Sequence, residues 1–343
     1  MTEDDGSMKF APADAAPRRA TAMDVARAAG VSRSAVSRAF SQTAYLDTDK
    51  RDHIRRIAAE MGYRPNALAA GLNRTRSNLV GIVAGDVGNL YDAQLLSRLV
   101  SGLTAAGKWP VVLDGSVGAD RLVATDIFAY PLDAMIVRGG SVDPVMVDTC
   151  AKLHIPLVFL GCVVDAPAVD SIVCRNAEGM ARIADLLLNR GRRRFAFLGG
   201  PAQWASQQQR LQGLCDALAQ AGLQLIATES ADFSHQGGAK VARRLLQDHD
   251  LDALVCANDA MAIGALGVAR HDLGLNVPAD LSITGFDDVD MASWPCFDLT
   301  TACNPVEETV AGVIELLEAR LATPSAPSRR IQIDAHLVRR GTH

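Results

Sequence analysis

Apolar residues change their rhythm once along the chain, near Leu79. Before that point, from Arg18 to Tyr63, they recur at helical spacing in three short segments. Thr21 predicts the N-cap of a helix running through Ala29, and Gly30 breaks it. Ser32 caps a second helix from Arg33 to about Phe40. Asp47 or Thr48 opens a third, in which Ile54, Ile57, Ala58 and Met61 make one apolar face and Gly62 marks the end. Pro65 then requires extended backbone at Arg64. Residues 1–17 are small, polar and Pro/Ala-rich without periodicity, which predicts a disordered tail.

From Leu79 onward short apolar runs alternate with amphipathic helical stretches. LVGIVAGD is followed by a helix near Ala93–Gly107, then by WPVVLDG, DAMIVRGG, PLVFLGC, SIVC, FAFLGG, LDALVCAND and LSITGFDD. Most runs end in Gly, Asp or Asn and lead into a helix pattern. That is βα repetition around a parallel sheet, a fold in which ligands bind beyond the carboxyl ends of the strands. Around nine such strands, about as many as the pattern offers, suit two doubly wound lobes with a cleft between them better than one sheet.

Composition agrees with a packed protein of about two domains: of 343 residues, 49% are hydrophobic and 5% aromatic. The formal charge of −5 speaks against a nucleic-acid partner until it is mapped along the chain. Between Arg18 and Asn78 there are twelve Lys and Arg against five Asp and Glu, a net +7, whereas Leu79 to His343 carries −9. A basic head on an acidic body is the asymmetry of a DNA-binding module joined to something else. The seven cysteines are scattered without a C-x-x-C pair, as for reduced core thiols. The first residues, with Glu3, Asp4 and Asp5, lack a basic and apolar leader, and no apolar run is long enough to span a bilayer. The expected location is cytoplasmic, nucleoid-associated when bound to DNA.

The segment TAMDVARAAGVSRSAVSRAF places a helix, a turn at Gly30 and a second helix at helix-turn-helix spacing. Val25, Ala26 and Ala29 are expected to pack against Val31 and Val36, leaving Arg33, Ser34, Ser37 and Arg38 outward. Arg reads guanine bidentately, and Ser hydroxyls suit phosphates or adaptable base contacts. Ser32 presents its hydroxyl and a helix N-terminus to a phosphate.

The run DVARAAGVSRSAVSR, the following EMGYRPNALAAGLNRTRSN and the α/β body resemble the LacI family of bacterial transcriptional repressors. The resemblance continues in FLGG (197–200), ANDAMAIGAL (257–266), VPADLSITGFDD (277–288), LTT (299–301) and LVRRG (337–341). It implies an α/β protein with a small all-α helix-turn-helix head (18–64) joined by a hinge helix and linker (65–78) to a two-lobed, doubly wound parallel domain (79–343). That domain has the fold of periplasmic sugar-binding proteins, its first lobe about 79–175 plus 303–320 and its second about 177–300 plus 328–340.

By the same resemblance Arg33, Ser34 and Arg38 read the major groove, Ser32 and Ser37 contact phosphates, and Tyr45 touches the DNA backbone. Ala35 stands where the family usually has Thr, which implies one polar contact fewer. YRPNALAAGL resembles the hinge helix, with Asn66 as its cap and Leu72 as the apolar wedge that opens a base step. A helix of about seven residues is too short to be stable alone in water.

In the sensor domain the resemblance implies an effector site made of Asn258 and Asp259 at a strand end, Arg210, Phe233 as an aromatic cover, Asp287, and Tyr91 as a wall. Arg138 adds an unusual cation at a strand end, and Arg175 stands where the family more usually has Asp. If Arg138, Arg175 and Arg210 share the cleft, the effector is an anion such as a sugar acid or sugar phosphate, because Arg pairs bidentately with carboxylate or phosphate. Alternatively, Arg175 forms a salt bridge on the lobe surface. The implied partners are double-stranded operator DNA, a sugar or sugar acid rather than a purine, and a second copy of the chain. No cofactor, metal or membrane is implied. No Leu-rich heptad tail follows Gly341, which favours a dimer. An enzyme is the main rival, yet neither a P-loop nor G-x-S-x-G occurs, and no catalytic residue is expected. A transport-type binding protein, the second rival, has no use for residues 18–78.

Overall fold

Thr21 starts the first helix by a reciprocal cap. Its hydroxyl accepts from the Asp24 N–H at 3.3 Å, and the Asp24 carboxylate accepts from the Thr21 N–H at 2.9 Å. The helix so begun, α1 (Ala22–Ala28), ends at Gly30, whose φ of +64° lets the Val31 N–H reach back to the Ala26 carbonyl at 2.9 Å. Ser32 caps α2 (Arg33–Ala39) and Asp47 caps α3 (Thr48–Glu60). Val25, Ala26, Val36, Ala39, Ile54 and Ala58 close a small core between the three helices. Phe40 and Tyr63 meet edge to face at its margin, with ring centroids 5.8 Å apart.

The chain divides into two units, 1–77 and 78–343. This computed structural model describes residues 18–41, 44–65, 76–115, 126–139 and 144–343. The expected tail (1–17) and most of the expected hinge, including Asn66 and Leu72, lie outside the described residues.

The second unit holds two six-stranded sheets. The first contains β1 (Leu79–Ala84), β2 (Trp109–Asp114), β3 (Leu132–Arg138), β4 (Leu157–Leu160), β5 (Val169–Cys174) and β11 (Arg330–Ile333), in the order β11-β5-β4-β3-β1-β2 and parallel throughout. The second contains β6 (Phe195–Gly199), β7 (Ala227–Ser230), β8 (Ala253–Cys256), β9 (Ser282–Asp287), β10 (Thr300–Cys303) and β12 (His336–Val338), in the order β12-β10-β9-β8-β6-β7. Only the β10–β12 pair is antiparallel there. Strands β6, β8 and β9 are buried at every position, as central strands covered on both faces must be, whereas β2 and β7 alternate toward solvent at the edges.

Helices α4 (Leu90–Ala105), α5 (Pro144–Lys152) and α10 (Val306–Ala322) go with the first sheet, and α6 (Asn176–Asn189), α7 (Ala205–Gln220), α8 (His235–Asp248) and α9 (Asp259–Gly267) with the second. Asn89 starts α4 three residues earlier than the apolar rhythm predicts, because its side chain accepts from both the Tyr91 and Asp92 N–H groups. The twelve strands among the described residues exceed the expected nine; β7, β10, β11 and β12 are three or four residues long, too short for an alternation to register.

One expected boundary is corrected. The resemblance implies that residues 328–340 lie whole in the second lobe, but β11 pairs with β5 in the first sheet and only β12 joins the second. The cause is a buried ion pair. Arg320 on α10 grips Asp170 of β5 at 2.6 and 3.0 Å, and the same carboxylate accepts from the Arg329 N–H at 2.8 Å. The segment after α10 is thereby laid along β5. All seven cysteines are free thiols. No helix among the described residues is long and apolar enough to cross a membrane.

Candidate functional site

In the helical unit, burial at Ala35, Val36 and Ala39 turns one face of α2 into the core. The opposite face exposes Arg33, Ser34, Ser37 and Arg38, with Ser32 exposed at its N-terminus. The Ser32 hydroxyl accepts from the Ala35 N–H at 3.2 Å and lies 2.9 Å from the Ser34 hydroxyl. Arg38 Nε donates to the Ser34 carbonyl at 3.4 Å, a long bond that leaves its outer nitrogens for a partner. Tyr45 is 90% exposed. Five predicted contacts therefore gather on one short helix, and Tyr45 stands on the loop after it. Ala35 is a core residue, so the substitution noted there changes packing rather than the exposed row. Charge counting overstated the free cations, because Arg51 and Arg55 donate to the carbonyls of Ala44 and Ala39 within the unit.

In the second unit, the carboxyl ends of strands from both sheets converge on one cavity. Tyr91, Arg138 and Cys174 line it from the first sheet's side, and Asn176, Ser206 and Arg210 from the second's. Arg138, ending β3, donates to Asp92 at 2.8 Å and lies 5.6 Å from the Tyr91 ring centroid. Arg210 is buried. It donates to Asn176 at 2.9 Å and to Asp287 at 3.0 Å, contacts the Ala257 carbonyl at 2.5 Å, and stacks 3.8 Å over Phe286. Asn304 donates to the same Asp287 oxygen at 3.3 Å. The cavity thus holds two guanidiniums, one from each side, each already matched by a carboxylate. Burial raises the Tyr91 phenol above its ordinary value, so it remains a neutral donor and acceptor.

Asn258, Asp259, Arg175 and Phe233 do not line this cavity, and Arg175 takes the second of its two expected places, a salt bridge on the surface. Asp259 is fully buried; one oxygen accepts from the Thr301 hydroxyl at 2.6 Å and the other from the Val289 N–H at 2.9 Å. Asn258 caps α9, accepting from Met261 N–H and donating to the Phe233 carbonyl, both at 3.0 Å. Both side chains thus brace the wall in this structure, and neither lines the cavity. Arg175 is 40% exposed at its side chain and pairs with Asp334 at 2.9 Å and with Glu178, outside the cavity. Phe233 lies in a neighbouring compartment of the same cleft, with Trp204. Sequence reasoning missed Asn176, Ser206, Asn304 and Trp204. Asn176 and Asn304 do follow strand ends, the one signal that points to them.

Burial raises the Asp259 carboxyl well above 3.8, with the Asp287 charge adding to the effect. A raised folded value means that folding takes up a proton: the stabilisation is complete below the unfolded value and is lost as pH rises through the folded one. Asp259→Asn keeps an acceptor for Val289 and a donor for Thr301. It is therefore expected to flatten the pH dependence of stability above pH 4, as read from urea unfolding at a series of pH values. An unchanged slope rules out Asp259 as its source.

Among the described residues no cluster of His, Cys, Asp and Glu is placed to hold a metal ion. Two family models match the chain: one described as bacterial regulatory proteins, lacI family, over residues 21–66, and one as a periplasmic binding protein-like domain, over residues 184–343. The HTH-type transcriptional regulator AscG of Escherichia coli (strain K12) is 30% identical over 304 residues, covering 86% of this chain and 90% of its own. Catabolite control protein A of Staphylococcus xylosus is 26% identical over 328 residues, covering 94% and 98%. Among solved structures, the Lac repressor dimer bound to operator and the anti-inducer ONPF aligns with a TM-score of 0.83 at 25% identity, over 95% of this chain and 99% of that one. The transcriptional regulator CelR–cellobiose complex aligns with a TM-score of 0.71 at 26% identity, over 95% and 100%.

Proposed function

The chain belongs to the LacI family of DNA-binding transcriptional regulators, and on that premise we propose that it is a repressor that binds a pseudopalindromic operator as a homodimer and answers to a neutral sugar held between the lobes of its second unit. Its relatives are regulators, not enzymes. It acts on chromosomal DNA, in the cytoplasm. The observation that carries the reading is the exposed row Arg33, Ser34, Ser37 and Arg38 on a helix whose other face is locked in a core.

In this reading Arg33, Ser34 and Arg38 read bases, Ser32 and Ser37 fix the register on phosphates, and Tyr45 touches the backbone. Asn66 caps the hinge helix and Leu72 wedges a base step. The dimer is supported by edge strand β2, where Trp109 is 62% and Val112 47% exposed. A sheet edge with bare apolar side chains is an aggregation hazard unless a partner copy covers it. Two copies related by a twofold axis then place one recognition helix on each half-site.

The effector class follows from charge balance. Arg138 faces Asp92 and Arg210 faces Asp287, so an anion entering the cavity must displace a buried carboxylate. A polyhydroxylated neutral ligand, by contrast, can bond to the guanidiniums and to Asn176 and Asn304 while both pairs stay intact. The relative CelR was solved with cellobiose, in keeping with that chemistry. The chain enters the second unit at Asn78, where the backbone N–H donates to Asp133 at 2.9 Å and the carbonyl accepts from Trp109 N–H at 2.8 Å. Movement of the first lobe on ligand binding therefore carries the linker with it, and the marginal hinge helix converts a small displacement into loss of DNA contact.

The test is fluorescence anisotropy with selected operator DNA, comparing the full chain with residues 79–343 alone. Loss of binding in the shortened chain supports the regulator; retained binding removes it. Arg38→Ala is expected to cost about 1–3 kcal/mol and to relax preference at one base position. Equal weakening on specific and random DNA makes Arg38 a phosphate contact instead.

A further inference from the structure

Helix α2 carries the exposed row but ends without a cap of its own. We propose that Arg55, on α3, is the positioning residue that supplies this cap and so sets how selectively α2 reads bases. This rests on the DNA-reading proposal and adds to it a residue that acts through α2 instead of touching DNA.

The seven residues of α2, Arg33–Ala39, are too few to hold a helix by its own bonds. Its start is fixed locally, by the Ser32 side chain. Its end is not. Helices α1 and α3 are followed by Gly30 and Gly62, both at φ +64°, which turn the chain so that the Val31 and Tyr63 N–H groups return to the carbonyls of Ala26 and Ala58. After α2, Phe40 stays in the right-handed region at φ −99° and Ser41 follows, so no glycine makes that turn. The Ser41 N–H reaches the Arg38 carbonyl at 3.2 Å, and the next carbonyl, that of Ala39, depends on a partner from outside the helix.

Arg55 is that partner. Its Nε donates to the Ala39 carbonyl at 3.0 Å, across sixteen residues of chain. A guanidinium at the carboxyl end of a helix also meets the negative end of the helix dipole. The core beneath places the bond, because Ile54, next to Arg55, and Ala39 are both fully buried. The loop beyond is tied to the same helix. Arg51, one turn before Arg55, donates to the Ala44 carbonyl at 2.9 Å, and the Ser41 hydroxyl accepts from the Ala44 N–H at 3.1 Å. Helix α3 thereby holds two points beside DNA-facing groups: Ala39 next to Arg38, and Ala44 next to Tyr45.

Arg38 lies in the last turn of α2, the part this clamp controls. Its 3.4 Å bond to the Ser34 carbonyl is too long to hold that turn alone. Bidentate reading of a base edge demands both distance and angle, whereas a phosphate accepts a donor from many directions. Loosening the end of α2 therefore falls on selectivity more than on general affinity. Arg55 is itself an exposed cation, so a direct phosphate contact is the rival role, and the two roles differ in charge dependence.

The experiment is fluorescence anisotropy of the full chain on a duplex that the native protein selects from a random pool and on an unselected duplex of equal length, over a series of salt concentrations. Arg55→Met removes the donor. Arg55→Gln removes the charge but keeps an amide nitrogen as many bonds from the backbone as the Nε of Arg55. The Met variant is expected to bind the selected duplex about tenfold more weakly, with unselected binding within about twofold of native and the salt dependence unchanged. Retained binding of the unselected duplex also shows that the variant is folded. The Gln variant is expected to recover the selected duplex to within about twofold of native. In an Arg38→Ala background, Arg55→Met should cost no further selectivity, because the two act as one unit. Equal weakening by Met and Gln on both duplexes, with a salt slope smaller by about one, makes Arg55 a phosphate contact and overturns the proposal. Native selectivity in the Met variant, or loss of both duplexes by Met without recovery by Gln, overturns it as well, while the DNA-reading proposal stands. If the native protein selects no duplex from the pool, both fall together.

Discussion

Asp170→Ala is expected to lower the unfolding free energy of the second unit by about 3–5 kcal/mol, the range for removing one partner of a buried ion pair. Both members are nearly inaccessible, Arg320 at 2% and Asp170 at 1% side-chain exposure. Their bidentate contact is reinforced by Arg329 N–H to Asp170 and by Arg320 to the carbonyls of Pro324, Ala326 and Pro327. Removing the carboxylate strands a guanidinium that water cannot reach and releases the turn that delivers β11 to β5. Glu315→Ala is the control, because it breaks the exposed pair with Arg329, for which about 0–1 kcal/mol is expected. Chemical unfolding of the two variants measures the contrast. Equal losses refute the idea that burial, rather than pairing, sets the cost.

Arg210→Ala is expected to weaken sugar binding by about 2–5 kcal/mol, the cost of truncating one partner of a buried, hydrogen-bonded charge pair. Arg210 is the residue on which the cavity turns. It touches Asn176, Asp287 and the Ala257 carbonyl at once, and its loss leaves Asp287 buried with Asn304 as its side-chain donor among the described residues. Operator affinity without sugar should change far less than the response to sugar. Coupling between two sites is typically about 1–3 kcal/mol and is reciprocal, so operator DNA should shift sugar affinity in the native protein by the factor by which sugar shifts operator affinity. Anisotropy titrations with and without sugar, on both proteins, test this. A variant that still responds to sugar places the effector elsewhere.

The helix-turn-helix was legible in the sequence because its determinants are local. Thr21 and Asp24, Ser32 and Ala35, and Asp47 and Lys50 are each three residues apart, and the turn needs only a residue that tolerates positive φ at Gly30. The buried face of α2 follows from helical geometry alone, which is why the outward row of Arg33, Ser34, Ser37 and Arg38 was correctly separated from its core. The long central strands were legible for a similar reason: a fully buried parallel strand reads as an uninterrupted apolar run.

What the sequence alone determined was therefore the order of the elements, the outward row of the second helix and the family to which both point. Tertiary structure decided what each buried charge does, because that depends on partners distant along the chain. Asp170 and Arg320 are 150 residues apart, Arg210 and Asp287 77, and Asp259 and Thr301 42. No local pattern distinguishes Asp259, bonded to Thr301 and Val289 inside the wall, from Asp287, which stands behind the arginine of the cavity; both are acids at the end of an apolar run. The same holds for Arg175 and Arg138, both at strand ends, one reaching a surface carboxylate and the other a buried one. Spacing gives the strand end, but the side chain that faces it is supplied by another part of the chain. That facing group decides between structural brace, surface ion pair and ligand contact.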